Sequence, residues 1–213
     1  MSKVVTIANV TAPDSEVAQK AAALVEHAHS PAMLNHVHRT WWFAEFLGRK
    51  RQMKYDRELL YLGSLLHDLG LTEAYAADKR FEVDGADAAT RFLSGYQYSN
   101  EKTRLVWDSI ALHSSADIAI RREPEVALVH LGAHVDVMGL NIDENYPELI
   151  DAVLAEYPRI GFKKAFTDAL AEIARKKPQT AAGTGLADIG RRLIHGLEIP
   201  NVYDVICAAP FEG

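Results

Sequence analysis

The chain has 213 residues, 48% hydrophobic and 24% charged, enough to bury a sizeable core and unlike the composition of a disordered or fibrous protein. A formal charge of −6 argues against a phosphate-binding face of clustered Lys and Arg, and the single cysteine, Cys207, excludes an internal disulfide. These numbers predict no nucleic-acid partner and a reducing, cytoplasmic setting. Residues 1–16 lack the apolar stretch and cleavage site of a signal peptide, and no apolar run reaches the roughly 18 residues of a membrane span.

In chain order, Val17, Ala21, Leu24, Val25 and Ala28 recur at helical spacing and predict a first helix over residues 16–29. "SPAMLNHVHRTWWFAEFLG" predicts a second, with Ser30 as N-cap, Pro31 at the first helical position and Gly48 as C-cap. Asp56 can cap a third helix, "RELLYLGSLLHDLG", whose final turn holds His67 and Asp68 and which Gly70 closes. "LTEAYAADKRFEVDG" has no period and reads as a loop with short turns, and helical spacing resumes over residues 86–93 and in "EKTRLVWDSIALHS". Pro124 opens "PEVALVHLGAHVDVMG", ending at Gly139; "YPELIDAVLAEYP" and "FKKAFTDALAEIARKKP" follow, and a last helix covers residues 186–194. The basic runs at residues 49–51 and 175–177 read as solvated helix ends, and the tail after residue 201 has no period. No segment alternates as a strand, so the expectation is an all-α chain in one domain over residues 1–213.

Ionisable side chains interrupt the apolar stripes at His36, the His67-Asp68 pair, His113 and Asp136. Burying such groups is costly unless they are paired, and side chains from facing helices can converge on one interior point, where a metal ion is a strong partner.

The ordered set "NHVHRT", "LLHDLG", "ALHSS" and "GAHVDVMG" resembles the HD superfamily of metal-dependent hydrolases, with its His, His-Asp doublet and distant Asp. With "RFEVDGADAATRFL" in between, it looks like the cyanamide hydratase-like branch of that superfamily over about residues 30–140. The resemblance implies an HD-type helical bundle with a C-terminal helical extension. It also implies that His36, His67, Asp68 and Asp136 are ligands of one divalent ion. Two imidazoles and two carboxylates suit zinc, iron or manganese, with zinc the expected ion. Phe81 stands where many two-metal members carry a further histidine, which favours a single ion. Glu82 can replace that ligand, or else Glu82 or Asp84 orients water.

The same resemblance gives His113 a histidine's place in the family, as a hydrogen bond to substrate, a proton shuttle or a structural residue. Asp68, His113 and Glu82 are therefore the candidate catalytic groups. His38 and His134 receive no role, since each sits two residues from an expected ligand on another face, and His130 reads as a hydrogen-bonded core residue. Trp41, Trp42, Phe43 and Trp107 pack the core or wall a pocket, and Arg39 either grips an anion or pairs with an acid.

The implied activity is hydration of cyanamide to urea by metal-bound hydroxide, a hydro-lyase reaction on a small-molecule substrate. Two alternatives stand beside it. One is a phosphohydrolase of a nucleotide or phosphomonoester, for which Arg39, Lys79 and Arg80 are the nearest cations. The other is a metal-stabilised binding or regulatory module without turnover. The acidic surface says nothing about symmetry and leaves a homo-oligomer open, and no membrane partner is expected.

Overall fold

A computed structural model describes residues 4–144 and 147–211. Residues 1–3, 145–146 and 212–213 lie outside the described residues; among the expectations above, the opening of the "YPELIDAVLAEYP" helix and the end of the aperiodic tail fall on them.

Among the described residues the chain is all-α apart from one short hairpin. Strands β1 (Thr6–Ile7) and β2 (Val10–Thr11) pair antiparallel, Thr6 opposite Thr11, around Ala8 and Asn9, both at positive φ. Two residues per strand is too short for alternation to appear in the sequence, and the hairpin was not expected.

Helix α1 (Glu16–Ala28) is capped by Ser15, whose hydroxyl accepts from the Ala18 amide. Helix α2 (Pro31–Lys50) begins at Pro31 as expected, with Ser30 at the N-cap position but without a side-chain capping bond. It runs past Gly48, which is buried inside it. A Cβ there would come 2.6 Å from the Tyr55 ring, so this glycine makes room for a neighbour and does not end the helix.

Helix α3 (Arg57–Leu66) is capped by Asp56, which accepts from the Glu58 and Leu59 amides. It stops at Leu66, earlier than the sequence suggests, and a 3₁₀ turn follows over Leu69–Leu71. Helix α4 (Phe81–Leu93) starts five residues before the expected position. Glu82 and Asp84 suit its positive N-terminus, but acids in a first turn leave no apolar period to detect.

Then come α5 (Asn100–Ala111), α6 (Ala116–Ala119), α7 (Pro124–Met138) and a 3₁₀ turn over Ile142–Glu144. Gly139 closes α7 at φ 71°, a left-handed cap as expected. The C-terminal part holds α8 (Pro147–Glu156), α9 (Phe162–Lys176), α10 (Pro178–Ala181), α11 (Gly185–Leu193) and α12 (Val202–Cys207). All of α12 is exposed.

Two apolar clusters organise these helices. The larger joins α1 to α5 with α7, and Trp41, Trp42 and Phe43 are buried in it. The smaller gathers Leu170, Ile173, Leu186 and Ile199 around Phe81 of α4. Two glycines set the spacing on which the site depends. A Cβ on Gly132 would lie 2.2 Å from the Thr40 carbonyl oxygen, so only glycine lets α7 press this closely on α2. A Cβ on Gly70 would lie 1.9 Å from the Phe81 carbonyl oxygen, so the same device brings the start of α4 against the turn after α3. Among the described residues, no helix is long and apolar enough to cross a membrane.

Candidate metal centre

His36 projects from α2, while His67 and Asp68 stand just past the end of α3, where the regular helical bonding stops. His67 Nδ1 donates to the Ser64 carbonyl at 2.7 Å, and a carbonyl can only accept. This fixes the tautomer, leaving a lone pair on Nε2. His36 Nδ1 lies 2.6 Å from Asp136 Oδ2, which places a proton on Nδ1 and leaves Nε2 as the ring atom that faces the group.

The two Nε2 atoms are 3.3 Å apart. Asp68 Oδ2 completes a triangle, 3.4 Å from His36 Nε2 and 3.3 Å from His67 Nε2. All three side chains are buried, and Asp68 Oδ2 accepts no hydrogen bond. Three donor atoms thus face one another out of reach of other protein partners, an arrangement that a cation between them would satisfy. A metal about 2.0–2.1 Å from each donor, at tetrahedral angles, separates the donors by about 3.3–3.4 Å. The edges fit that spacing, so a buried His36, His67 and Asp68 group can hold a metal ion. Burial disfavours the Asp68 carboxylate, yet His67 and His36 hold its pKa well below the ordinary range.

Asp136, expected as the fourth ligand, stands behind His36 and outside this group. Its oxygens are occupied: Arg39 donates Nε to Oδ1 and Nη2 to Oδ2, each at 2.8 Å, and Arg159 donates to Oδ1 and to the Asp136 carbonyl. Arg39 is therefore the partner of an acid, and its remaining donors go to the Tyr157 and Pro158 carbonyls. A carboxylate between two guanidinium groups and a histidine is well placed to orient that histidine.

His113 lies past the end of α5 and repeats the device of His67. Its Nδ1 donates to the Ile110 carbonyl at 2.7 Å, leaving Nε2 facing Asp68 Oδ1 at 3.8 Å. Burial pushes its pKa down to about 4, with His67 adding to the shift. Glu82 Oε1 accepts from Ser114 Oγ at 2.6 Å and from Arg80 at 2.7 Å. Burial disfavours its charge, but these donors, with His113, hold its pKa below the usual carboxylate value.

Asp84, the other residue expected to orient water, has its oxygens taken up by protein donors. It accepts from the Ala77 and Lys79 amides and from Lys177 Nζ at 2.7 Å, so it pins a loop and the C-terminal part to α4. His130 is buried and its Nδ1 donates to the His113 carbonyl, as expected of a core residue. Trp107 donates to Asp87, and none of Trp41, Trp42, Phe43 and Trp107 lines the cavity described next.

His36, His67 and Asp68 line a cavity of about 640 Å³ together with Glu82, His113 and Ser114. Several residues of the site carry no signal in the sequence. Arg159 and Ser114 act only through contacts made in the fold, and Phe162 stacks on His36 at 4.9 Å from a helix 126 positions away (162 − 36). His134 lines the cavity as well. Its dismissal assumed that Asp136, two residues on, faces the metal, and Asp136 instead faces Arg39.

No family model matches the chain, and a search of curated proteins finds no match either.

Proposed function

We propose that this chain is a metal-dependent hydratase or hydrolase of an uncharged small molecule, an HD-type bundle whose simplest reaction is hydration of cyanamide to urea. The observation that carries this reading is Asp68 Oδ2, buried and without a hydrogen-bond partner, facing two imidazole Nε2 atoms in the wall of a cavity. His36, His67 and Asp68 would hold the ion, and zinc is the ion we expect, ahead of iron or manganese. When bound, such an ion supplies Lewis acidity and lowers the pKa of water towards neutrality.

The chain's own groups would do the rest. His113, neutral near pH 7, offers an unprotonated Nε2 that can take up a proton and return it to the substrate nitrogen. Glu82, ionised and fixed by Ser114 and Arg80, can accept from a water or substrate N–H. Asp136 keeps the His36 proton on Nδ1.

The cations weigh against the phosphohydrolase alternative. Arg39 is buried and spent on Asp136, Lys79 is bound to Asp87 at 2.7 Å, and Arg80 is bridged to Glu82. A phosphate would need to compete for each of them. The lone cysteine is consistent with the cytoplasmic setting expected from composition.

The test is incubation of the zinc-loaded protein with cyanamide and, separately, with a panel of nucleoside monophosphates, following urea and free phosphate. Urea formation lost together with zinc in His67→Ala is the expected result. Phosphate release would move the assignment to phosphohydrolase chemistry. Zinc retention with neither product would favour a binding module.

A further inference from the structure

The cavity that begins at the metal group is much larger than cyanamide requires. At about 30 Å³ per water-sized unit, a molecule of three heavy atoms fills only about a seventh of the 640 Å³. Pockets of this volume ordinarily enclose ligands of many more atoms.

The walls say what those atoms are. Phe81, Phe162, Phe166, Leu170, Leu186 and Ile189 line the cavity, five of them from the C-terminal helices α9 and α11. The apolar wall is continuous with the metal group. Phe162 stacks on His36 at 4.9 Å, Phe166 lies 5.5 Å from the same ring, and Phe81 meets His113 edge-on at 5.6 Å. Two cations touch the wall: Arg80 is bridged to Glu82, and Lys163 stands exposed on α9. An anionic tail would meet one exposed lysine and a wall mostly of aromatic and aliphatic carbon, a poor exchange for its hydration.

We infer that the molecule taken at the metal group carries an uncharged apolar body, aromatic or branched aliphatic, which lies against α9 and α11 while its reactive polar end reaches His36, His67 and Asp68. This rests on the hydratase or hydrolase reading for what happens at the polar end, but not for the binding of the body. In nitrile terms, the preferred substrate is an aryl- or alkyl-substituted nitrile or cyanamide.

The experiment pairs a binding measurement with turnover on the zinc-loaded full chain. N-phenyl-1-naphthylamine, an uncharged apolar fluorophore, is titrated into the wild type, into Thr167→Trp, which fills the cavity from α9, and into Met138→Trp at the end of α7. Thermal melts check that both variants fold. Cyanamide, phenylcyanamide and phenylacetonitrile are then compared as substrates and as displacers of the dye.

The expected result is one saturable dye site per chain, displaced by the phenyl compounds, with at least tenfold weaker binding in Thr167→Trp. A kcat/KM at least tenfold higher for a phenyl-substituted substrate than for cyanamide is also expected. Dye binding and displacement without turnover of any nitrile would uphold the apolar-body inference and overturn the hydratase reading. Cyanamide turnover without saturable dye binding, or dye binding untouched in both variants, would overturn the inference and leave that reading standing.

Discussion

Asp136 Oδ2 lies 2.6 Å from Nδ1 of His36, on the side of the ring away from His67 and Asp68, so the carboxylate acts on the candidate ligand rather than beside it. The same carboxylate neutralises the buried Arg39. Asp136→Asn should lower zinc affinity about 10- to 100-fold, the usual cost of losing a partner of a ligating histidine. It should also destabilise the fold by about 3–5 kcal/mol, because a buried guanidinium loses its counter-charge. Chelator competition and urea melts separate the two effects. Unchanged affinity would leave Asp136 a purely structural residue.

Acid should destabilise the metal-free protein before its carboxylates titrate. Burial pushes His29, His38 and His113 from the ordinary 6.5 down to about 4. Between those values the unfolded chain binds more protons than the folded one, so stability falls as pH drops from about 6.5 towards 4. Burial also opposes charge on His36, but Asp136 and Asp68 raise its pKa, which partly offsets the trend. Tm measured across this window should decline, and His38→Phe, which keeps a ring against Tyr157, should flatten the slope. An identical slope would remove His38 from the account.

The two close approaches are open to the smallest of substitutions. Gly132→Ala and Gly70→Ala each force a methyl group onto a backbone carbonyl, at 2.2 Å and 1.9 Å before relaxation. Each should cost about 1–3 kcal/mol or more through overpacking. Each should also weaken zinc binding, the first by moving α7 off α2 and the second by moving α4 off the turn that carries His67 and Asp68. Denaturant melts and zinc titration of the same samples test both halves of this expectation.

Lys177 ties the C-terminal helices to the rest of the fold through Asp84 and the Lys79 carbonyl. Lys177→Ala leaves the buried Asp84 without its cation, at a cost on the order of 3–5 kcal/mol. Hydrogen exchange should quicken in α9 to α11 more than in α2 and α7. Uniform acceleration would mean that the pin stabilises the whole chain equally.

The helices were legible partly because burial of one face repeats every three or four residues, as in α1 and α9, and partly from their ends, as in α2 and α7, which are buried nearly all round but open at Pro31 and Pro124. Ionisable residues that break such a stripe were legible for the same reason, and His36, His67 and Asp68 do converge. The early start of α4, the two-residue strands and α12 were not legible. An acidic first turn, a pairing of two residues and a single exposed turn or so of helix carry no usable period.

Which donors meet was a matter of tertiary structure. The sequence holds His36, His67, Asp68 and Asp136 as equals, and a linear order cannot say which side of an imidazole a carboxylate reaches. The close crossing at Gly132 sets Asp136 against Nδ1 of His36, and Arg39 and Arg159 then hold it there. The apolar cavity wall likewise exists only because α9 and α11 fold back over the metal group, bringing together side chains more than a hundred residues apart. Sequence periodicity determines what each helix buries, since that depends on neighbours within a few residues; the packing of helices determines what the buried groups can do, since that depends on distances between segments that the chain leaves free.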